Sequence, residues 1–492
     1  MSSSTTSSTP GAPAPTEGPT FLGQPRMLAN VFSVELWERF SFYGMQAVVL
    51  LYMYFAVDQG GLGGDRTAAV GIMGAYGGGV YLSTILGAWV ADRLLGSERV
   101  LFISAVLIML GHIALAVLPG WAGVGVGLLL VAIGSGGLKA NATSIVGTLY
   151  AAGDERRDAG FSIFYMGINI GALFGPLLTG LVRDTVGFHW AFALAAVGMA
   201  IGLVQYGLTR KNLPAEAGHV PNPLPRNRYG LAVGIAAAAI VVIVVAVLTG
   251  LITPGNLATL VVIATIVAAV AYFAVILSSN LTPTERRRVY AFIPIFIASA
   301  VFWSLYQQQF SMLTIYSDTR LNRNLFGWEM PIEWVQSINP VFIIVLSGVF
   351  AALWTRLGAR QPSTPTKFTL SLVIMGVAFL AFLPFVGTGT NGTPLLVIAF
   401  ILLLFTFAEL LLSPIGLSVT TKLAPERFRT QMVALFFLSV ALGSSMAGIL
   451  AGHYDPTNEA PYFAVIGGVC IVVGVLLGLA IKPIRKLMSG VH

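Results

Sequence analysis

The sequence predicts an all-α polytopic membrane protein crossed by fourteen transmembrane helices. Three observations predict it. Across 492 residues, 56% are apolar and only 10% are charged, against about a quarter charged in a soluble domain. Apolar runs of bilayer-crossing length, about 20 residues each, recur from Val31 to Ile481. The basic residues gather in the short loops between those runs.

The runs place helices near 29–56, 66–93, 98–118, 122–150, 160–183, 189–209, 229–251, 256–278, 289–317, 334–357, 367–386, 394–415, 429–452 and 461–481. The 55 glycines suit close helix approach in lipid. A transmembrane barrel would instead show alternating segments of about ten residues, and none is visible. If the N-terminus is cytoplasmic and the loops alternate sides, only Arg66, Arg183, Arg320 and Arg323 of the 27 basic residues fall outside. Arg39 and Lys139 lie within helices, and all the others fall inside. Positive charge favours the cytoplasmic side, so the bias supports both the even count and cytoplasmic N- and C-termini.

The formal charge of +7 does not indicate nucleic acid, because these residues are topological loop charges. Cys470 is the single cysteine, so no intrachain disulfide forms. The five histidines are scattered, and no nucleophile with placed partners or nucleotide loop stands out. An enzyme, a metal site and an organic cofactor are therefore not expected. Residues 1–25 are rich in Ser, Thr, Pro and Gly, with no apolar core or basic start. They read as a disordered tail rather than a signal peptide, with the first membrane helix as an uncleaved signal.

The chain reads as duplicated. Gly87, Asp92, Arg93, Gly96 and Arg99 at the second junction have a worn counterpart in Arg356, Gly358 and Arg360. The expected units are a tail at 1–28, a six-helix bundle at 29–209 and a linker with two inserted helices at 210–285. A second six-helix bundle at 286–482 and a tail at 483–492 follow. The linker at 210–228 carries prolines and basic residues, which suits a cytoplasmic connection. The pattern at 87–99 resembles the loop signature of the major facilitator superfamily, which implies that superfamily's fold of two six-helix bundles.

Charges at bilayer depth cost about 2.5–3.5 kcal/mol each on insertion scales and default to a functional reading. Glu35 and Arg39 are four apart on one helical face, with Glu38 beside them and Phe42, Tyr43 and Gln46 continuing the stripe. Two readings stand: carboxylates that exchange protons as water access alternates, or a structural pair. Lys139 lies among glycines in a run that includes Gly134 and Gly137. It either meets a ligand or pairs with Glu35 or Glu38. Glu409, just before Ser413 and Pro414, stands at the corresponding place in the second half. If the halves are repeats, Lys139 and Glu409 face one another with opposite charge. That layout suits a zwitterion, its carboxylate towards Lys139 and Arg39 and its ammonium towards Glu409. A proton relay or an interhelical hydrogen bond is the other reading of Glu409. Asn169, Gln307 and Asn339 read as neutral polar lining, although an Asn before Pro340 also serves to satisfy freed backbone groups. Tyr81, Trp303 and Phe436 either stack on a ligand or belong to the core.

With these residues in place, the chain resembles the bacterial proton-dependent oligopeptide transporter family over most of 29–482. Glu35, Glu38, Arg39, Phe40, Tyr43 and Gly44 resemble its first-helix motif. Gly137, Lys139, Asn141 and Tyr150 resemble its fourth-helix signature. Phe161, Tyr165, Asn169 and Pro176 resemble the fifth, and Phe407, Glu409, Ser413 and Pro414 its ligand-binding glutamate segment. The resemblance implies a symporter of the bacterial inner membrane that imports di- and tripeptides with protons by alternating access. It implies proton coupling by Glu35, Glu38, Arg39 and Lys139. The substrate set is Arg39, Tyr43, Tyr81, Lys139, Asn169, Trp303, Gln307, Asn339, Glu409, Phe436 and Ser439. The coupling ion is H+, with no other cofactor, and a monomer is expected. Four positions depart from the family pattern. Gln307 stands where bacterial members often carry Glu, and Gln46 where they often carry Arg. Phe436 replaces a common Trp, and Phe42 the first Tyr of a pair. The alternative function is a facilitator or symporter for another small anion, zwitterion or drug.

Overall fold

The computed structural model describes residues 20–151, 154 and 156–490. The expected tail at 1–28 falls largely outside them. Where description begins, Thr20–Phe21 (β1) and Gln24–Pro25 (β2) pair antiparallel, so the chain is already ordered before the first helix.

The N-terminal half holds α1 (Met27–Tyr54), α2 (Arg66–Val90), α3 (Ser97–Val117), α4 (Gly120–Thr148), α5 (Arg157–Thr185) and α6 (Phe188–Thr209). The inserted pair is α7 (Tyr229–Leu248) and α8 (Leu257–Ser278). The second half holds α9 (Pro283–Tyr306), α10 (Met312–Thr319), α11 (Ile338–Leu357), α12 (Thr364–Leu380), α13 (Leu395–Leu423), α14 (Arg429–Ala451) and α15 (Ala460–Leu479). Thirteen segments among the described residues are long and apolar enough to cross a membrane. Helix α1 is the fourteenth crossing element. Its 28 residues suffice, but Glu35, Glu38, Arg39 and Gln46 make it more polar than the others.

Several boundaries differ from the sequence reading; α13, for one, runs on to Leu423 rather than ending near 415. The ninth run does not continue unbroken to 317: α9 gives way to a 3-10 turn at Gln307–Phe310, and Ser311, at φ −134° and ψ −85°, redirects the chain into the short α10. Its start at Pro283 is fixed by a capping box, in which the Thr282 hydroxyl accepts from the Glu285 N–H and the Glu285 carboxylate accepts from the Thr282 N–H. The segment expected as a C-terminal tail contains α16 (Ile481–Met488). Ile484 and Met488 bury against the bundle while Lys482, Arg485 and Lys486 face out, so an amphipathic stripe orders it.

Within the first half α1 packs on α5 and α6, and α4 on α2 and α3. Within the second, α12 packs on α13 and α15, and α9 on α13 and α14. The halves meet along α2 with α14 and along α5 with α11. Gly74 and Gly448 make the first seam possible: a Cβ on Gly74 would lie 2.6 Å from the Gly448 Cα. Helix α8 straddles this seam by packing on both α2 and α14. Helix α7 buries none of its residues, which leaves nearly all of its apolar surface for lipid. The linker is docked: the Asn222 and Leu224 N–H groups donate to the Asp92 and Arg93 carbonyls at the end of α2.

Candidate functional site: a cavity between the halves

The end of the molecule carrying the start of α1 and the end of α15 is the terminal end, and the opposite one the far end. A cavity of about 270 Å³ lies between the halves. Helices α1, α2, α4 and α5 line one wall, and α9, α13 and α14 the other.

Position along α1 decides what each polar residue does. Glu35, Arg39, Tyr43 and Gln46 share one face and line the cavity. Arg39 Nε lies 2.9 Å from Glu35 Oε1 and 2.7 Å from Glu38 Oε2. Glu38 stands behind the wall, wholly buried, and its Oε1 accepts the Ser135 hydroxyl at 2.8 Å. Ser135 is one turn before Lys139 on α4, so Glu38 ties the two charged helices together. Lys139 has no carboxylate within 4.0 Å among the described residues. Its Nζ sits 4.4 Å over the Tyr81 ring and donates to the Tyr81 hydroxyl at 3.4 Å. The reading in which Lys139 pairs with Glu35 or Glu38 is therefore not the arrangement seen, and its charge faces the cavity with an aromatic neighbour.

On the opposite wall Glu409 has no cation within 4.0 Å among the described residues. Its Oε2 accepts the Tyr306 hydroxyl at 2.7 Å and the Asn339 amide at 3.5 Å. Asn339 is held in turn by donation to Thr406 Oγ1 at 3.0 Å. Asn169 and Asn339 line a side chamber of about 70 Å³ that adjoins the cavity at Tyr43, Tyr306 and Glu409. Asn169 also donates to the Tyr165 carbonyl of its own helix at 3.0 Å.

Trp303, Gln307 and Phe436 line the cavity as expected. The Gln307 amide donates to Ser444 Oγ at 3.2 Å. Ser439 does not line it. On α14 the stripe Phe436, Val440 faces the cavity, whereas Ser439 turns towards α9, where its hydroxyl lies 2.7 Å from that of Ser299. Ser439 thus joins two helices of one half. Sequence reasoning missed Tyr306, Phe310 and Phe437. Tyr306 follows Trp303 by three residues, a spacing that already placed it on the same face. Phe310 stacks on Tyr43 with centroids 5.8 Å apart, and Phe437 on Tyr81 at 6.4 Å, so each bridges the halves.

The far end is closed. Arg183 on α5 meets Glu333, in the turn before α11, through two bonds of 2.7 Å. Beside them the Trp334 indole donates to the Leu177 carbonyl at 2.9 Å and the Ser337 hydroxyl to the Leu173 carbonyl at 2.8 Å. The Tyr54 hydroxyl donates to Asp318 at 2.9 Å. Among the described residues, no hydrogen bond joins the halves at the terminal end. There Tyr165, a cavity residue, is 49% exposed. The cavity is therefore entered from the terminal end. Among the described residues no group of three or more His, Cys, Asp or Glu is placed to hold a metal ion.

Comparison with known proteins places this geometry. The sequence profile of the POT family matches residues 98–466. A di-/tripeptide transporter of Lactococcus lactis subsp. cremoris is 39% identical over 490 residues, covering 96% of this chain and 98% of its own. An uncharacterised transporter of Bacillus subtilis (strain 168) is 42% identical over 477 residues, covering 96% of both chains. The crystal structure of a peptide transporter POT in complex with sulfate superposes with a TM-score of 0.92 at 44% identity, over 96% of this chain and 97% of that one. A POT family transporter in complex with 5-aminolevulinic acid gives 0.90 at 39% identity, over 95% and 98%. This chain is a member of the POT family, with that family's two-bundle transporter fold.

Proposed function

We propose that this protein imports di- and tripeptides together with protons across a bacterial inner membrane, by alternating access. One observation carries the reading: Lys139 and Glu409 approach one cavity from opposite halves, and among the described residues neither has a salt-bridge partner. A free peptide has its two terminal charges separated by about 3.3–3.6 Å per extended residue, which suits one pole on each wall. The carboxylate meets Lys139 and Arg39. The ammonium meets Glu409, with Asn339 and Asn169 alongside. Because the peptide touches both halves, its binding bears on their relative position.

Proton coupling follows from the cluster on α1. Arg39 is shared between Glu35 and Glu38, so a proton on either carboxylate removes one of the charges holding the guanidinium. Arg39 is then freer to meet the peptide carboxylate. An inward proton gradient thus favours loading on one side and release on the other. The bias of basic residues assigns the terminal end to the cytoplasm, and the cavity then faces inward. Each chain encloses a whole cavity, which supports a working monomer.

Uptake of a labelled dipeptide into proteoliposomes, driven by an imposed pH or voltage gradient, tests the reading. Uptake should require the gradient, be competed by unlabelled di- and tripeptides, and fail in Glu409→Gln. Uptake indifferent to the gradient would remove the coupling. Failure of peptides to compete would remove the substrate.

A further inference from the structure

A second, larger space lies outside the transport cavity and serves no step of it. It is a crevice of about 530 Å³ between α2, α4 and the α7–α8 pair. Its walls are almost wholly apolar. Apolar cavities stay dry, so water is not its natural content.

Its position says what is. Its outer end, at Trp121, Thr253 and Pro254, is at the far end, where α4 begins and where α7 and α8 are joined. The inner end reaches Tyr76 and Ala132. From Trp121 to Ala132 along α4 the rise is about 16 Å at about 1.5 Å per residue. That is one leaflet of a hydrocarbon core about 30 Å thick. Helix α7 closes the crevice only near its end, at Val247, and buries no residue against the bundle. The crevice is therefore continuous with the lipid-facing surface. Gly79 and Gly125 line it, and a Cβ added to either would meet nothing within 4 Å. The space is thus room left by the walls, not slack in a packed core.

We propose that this crevice is a binding site for one acyl chain of a phospholipid from the far-end leaflet, its headgroup at Trp121 and Thr253 and its methyl end against Tyr76. The site has a route to the transport machinery. The Tyr76 ring stacks on Phe42 with centroids 5.9 Å apart, and the Arg39 guanidinium lies 5.4 Å over Phe42. Two stacked rings, Tyr76 and Phe42, therefore separate the chain end from the charge cluster on α1. The crevice is also roofed by α8, which crosses the α2–α14 seam that must part when the far end opens. A chain lodged there supports α2 in the state seen.

The test uses the full protein in proteoliposomes containing phosphatidylglycerol with a diazirine in one acyl chain, with cross-linked peptides mapped by mass spectrometry. With the diazirine at the chain end, labelling should concentrate near Tyr76 and Ala132. Moved close to the ester, it should shift to Trp121 and Thr253. Gly79→Leu with Gly125→Leu fills the crevice, and should lose crevice labelling while keeping labelling on the outer face of α7. Gly234→Leu, on α7 and equally open, is the control and should change nothing. Labelling spread evenly over α7 and the crevice, or unchanged by filling, would overturn the proposal. So would labelling that ignores the diazirine's position, a readout of the unaltered chain that stands even if the filled variant fails to fold. None of these outcomes depends on what the protein transports.

Discussion

The Tyr306 hydroxyl donates to Oε2 of Glu409 across 2.7 Å, which joins α9 to α13 at the wall facing Lys139. The bond orients the one carboxylate of the second half that lines the cavity, and it leaves Oε1 without a hydrogen bond among the described residues. If the peptide ammonium binds here, Glu409→Gln keeps the shape and removes the charge. A hydrogen bond to a charged group contributes about 1.5–3 kcal/mol, so dipeptide affinity should fall about ten- to a hundredfold. Tyr306→Phe should cost less, because the charge remains and only its aim is loosened. Isothermal titration with a dipeptide and its N-acetylated form checks this. The acetylated form should bind weakly to the parent and be little affected by Glu409→Gln.

Glu38 offers a different test, because it is buried behind the cavity wall and does not line it. Its partners are Arg39 at 2.7 Å and Ser135 at 2.8 Å. Glu38→Gln should preserve the packing of α1 on α4 yet abolish uptake driven by a pH gradient. Exchange of labelled for unlabelled peptide, which needs no net proton movement, should persist. Ser135→Ala removes one donor to a buried carboxylate and should lower stability by about 1.5–3 kcal/mol with coupling intact. Loss of exchange and driven uptake together in Glu38→Gln would assign the residue to structure instead.

These two residues also show what the sequence could and could not reveal. The stripe from Glu35 to Gln46 was legible because helical spacing puts it on one face. Lys139 and Glu409 were legible because charge at bilayer depth is costly and rare. Ser439 was misplaced because an uncharged serine carries no such cost, and its rotation towards Ser299 depends on how α9 and α14 pack. The break after Gln307 was hidden for a similar reason. An apolar run does not record where Ser311 turns the backbone. Arg183 was read only as a loop charge. Its pairing with Glu333, 150 residues away in sequence, is a product of the closed far end.

That pairing predicts a conformational effect. Arg183 and Glu333 bond twice between the halves, and the Glu333 side chain is fully buried. Removing one member of a buried pair costs about 3–5 kcal/mol, and the cost falls only on the state in which the pair exists. Glu333→Gln should therefore shift the molecule towards opening at the far end. Cys470 is the one cysteine and is buried, so a single reporter can be added at Ser311, itself buried beneath the closure. A membrane-impermeant maleimide applied at the far end should label Ser311→Cys faster in the Glu333→Gln background. Equal rates would mean that the α2–α14 seam and the other far-end hydrogen bonds hold that end shut without this pair.

The last prediction concerns two neutral residues. Gln46 on α1 and Gln307 after α9 line the same small space, about 10 Å³, with Ser311 and Ser444. That is about the room one water needs, and Gln46 Oε1 and the Ser311 hydroxyl are buried there with no hydrogen-bond partner among the described residues. The shared space couples the two positions, so a charge at one calls for an opposite charge at the other. Gln307→Glu alone buries a carboxylate with no cation beside it, and Gln46→Arg alone buries a guanidinium with no anion. Each should lower stability by about 3 kcal/mol. The double variant should recover most of that loss, because the two side chains share one space across the halves. Thermal unfolding of the parent, both single variants and the double variant measures the coupling directly. If pairing at this seam also carries protons, the pH dependence of uptake in the double variant should differ from that of the parent. Additive losses in the double variant would show that the two side chains do not meet.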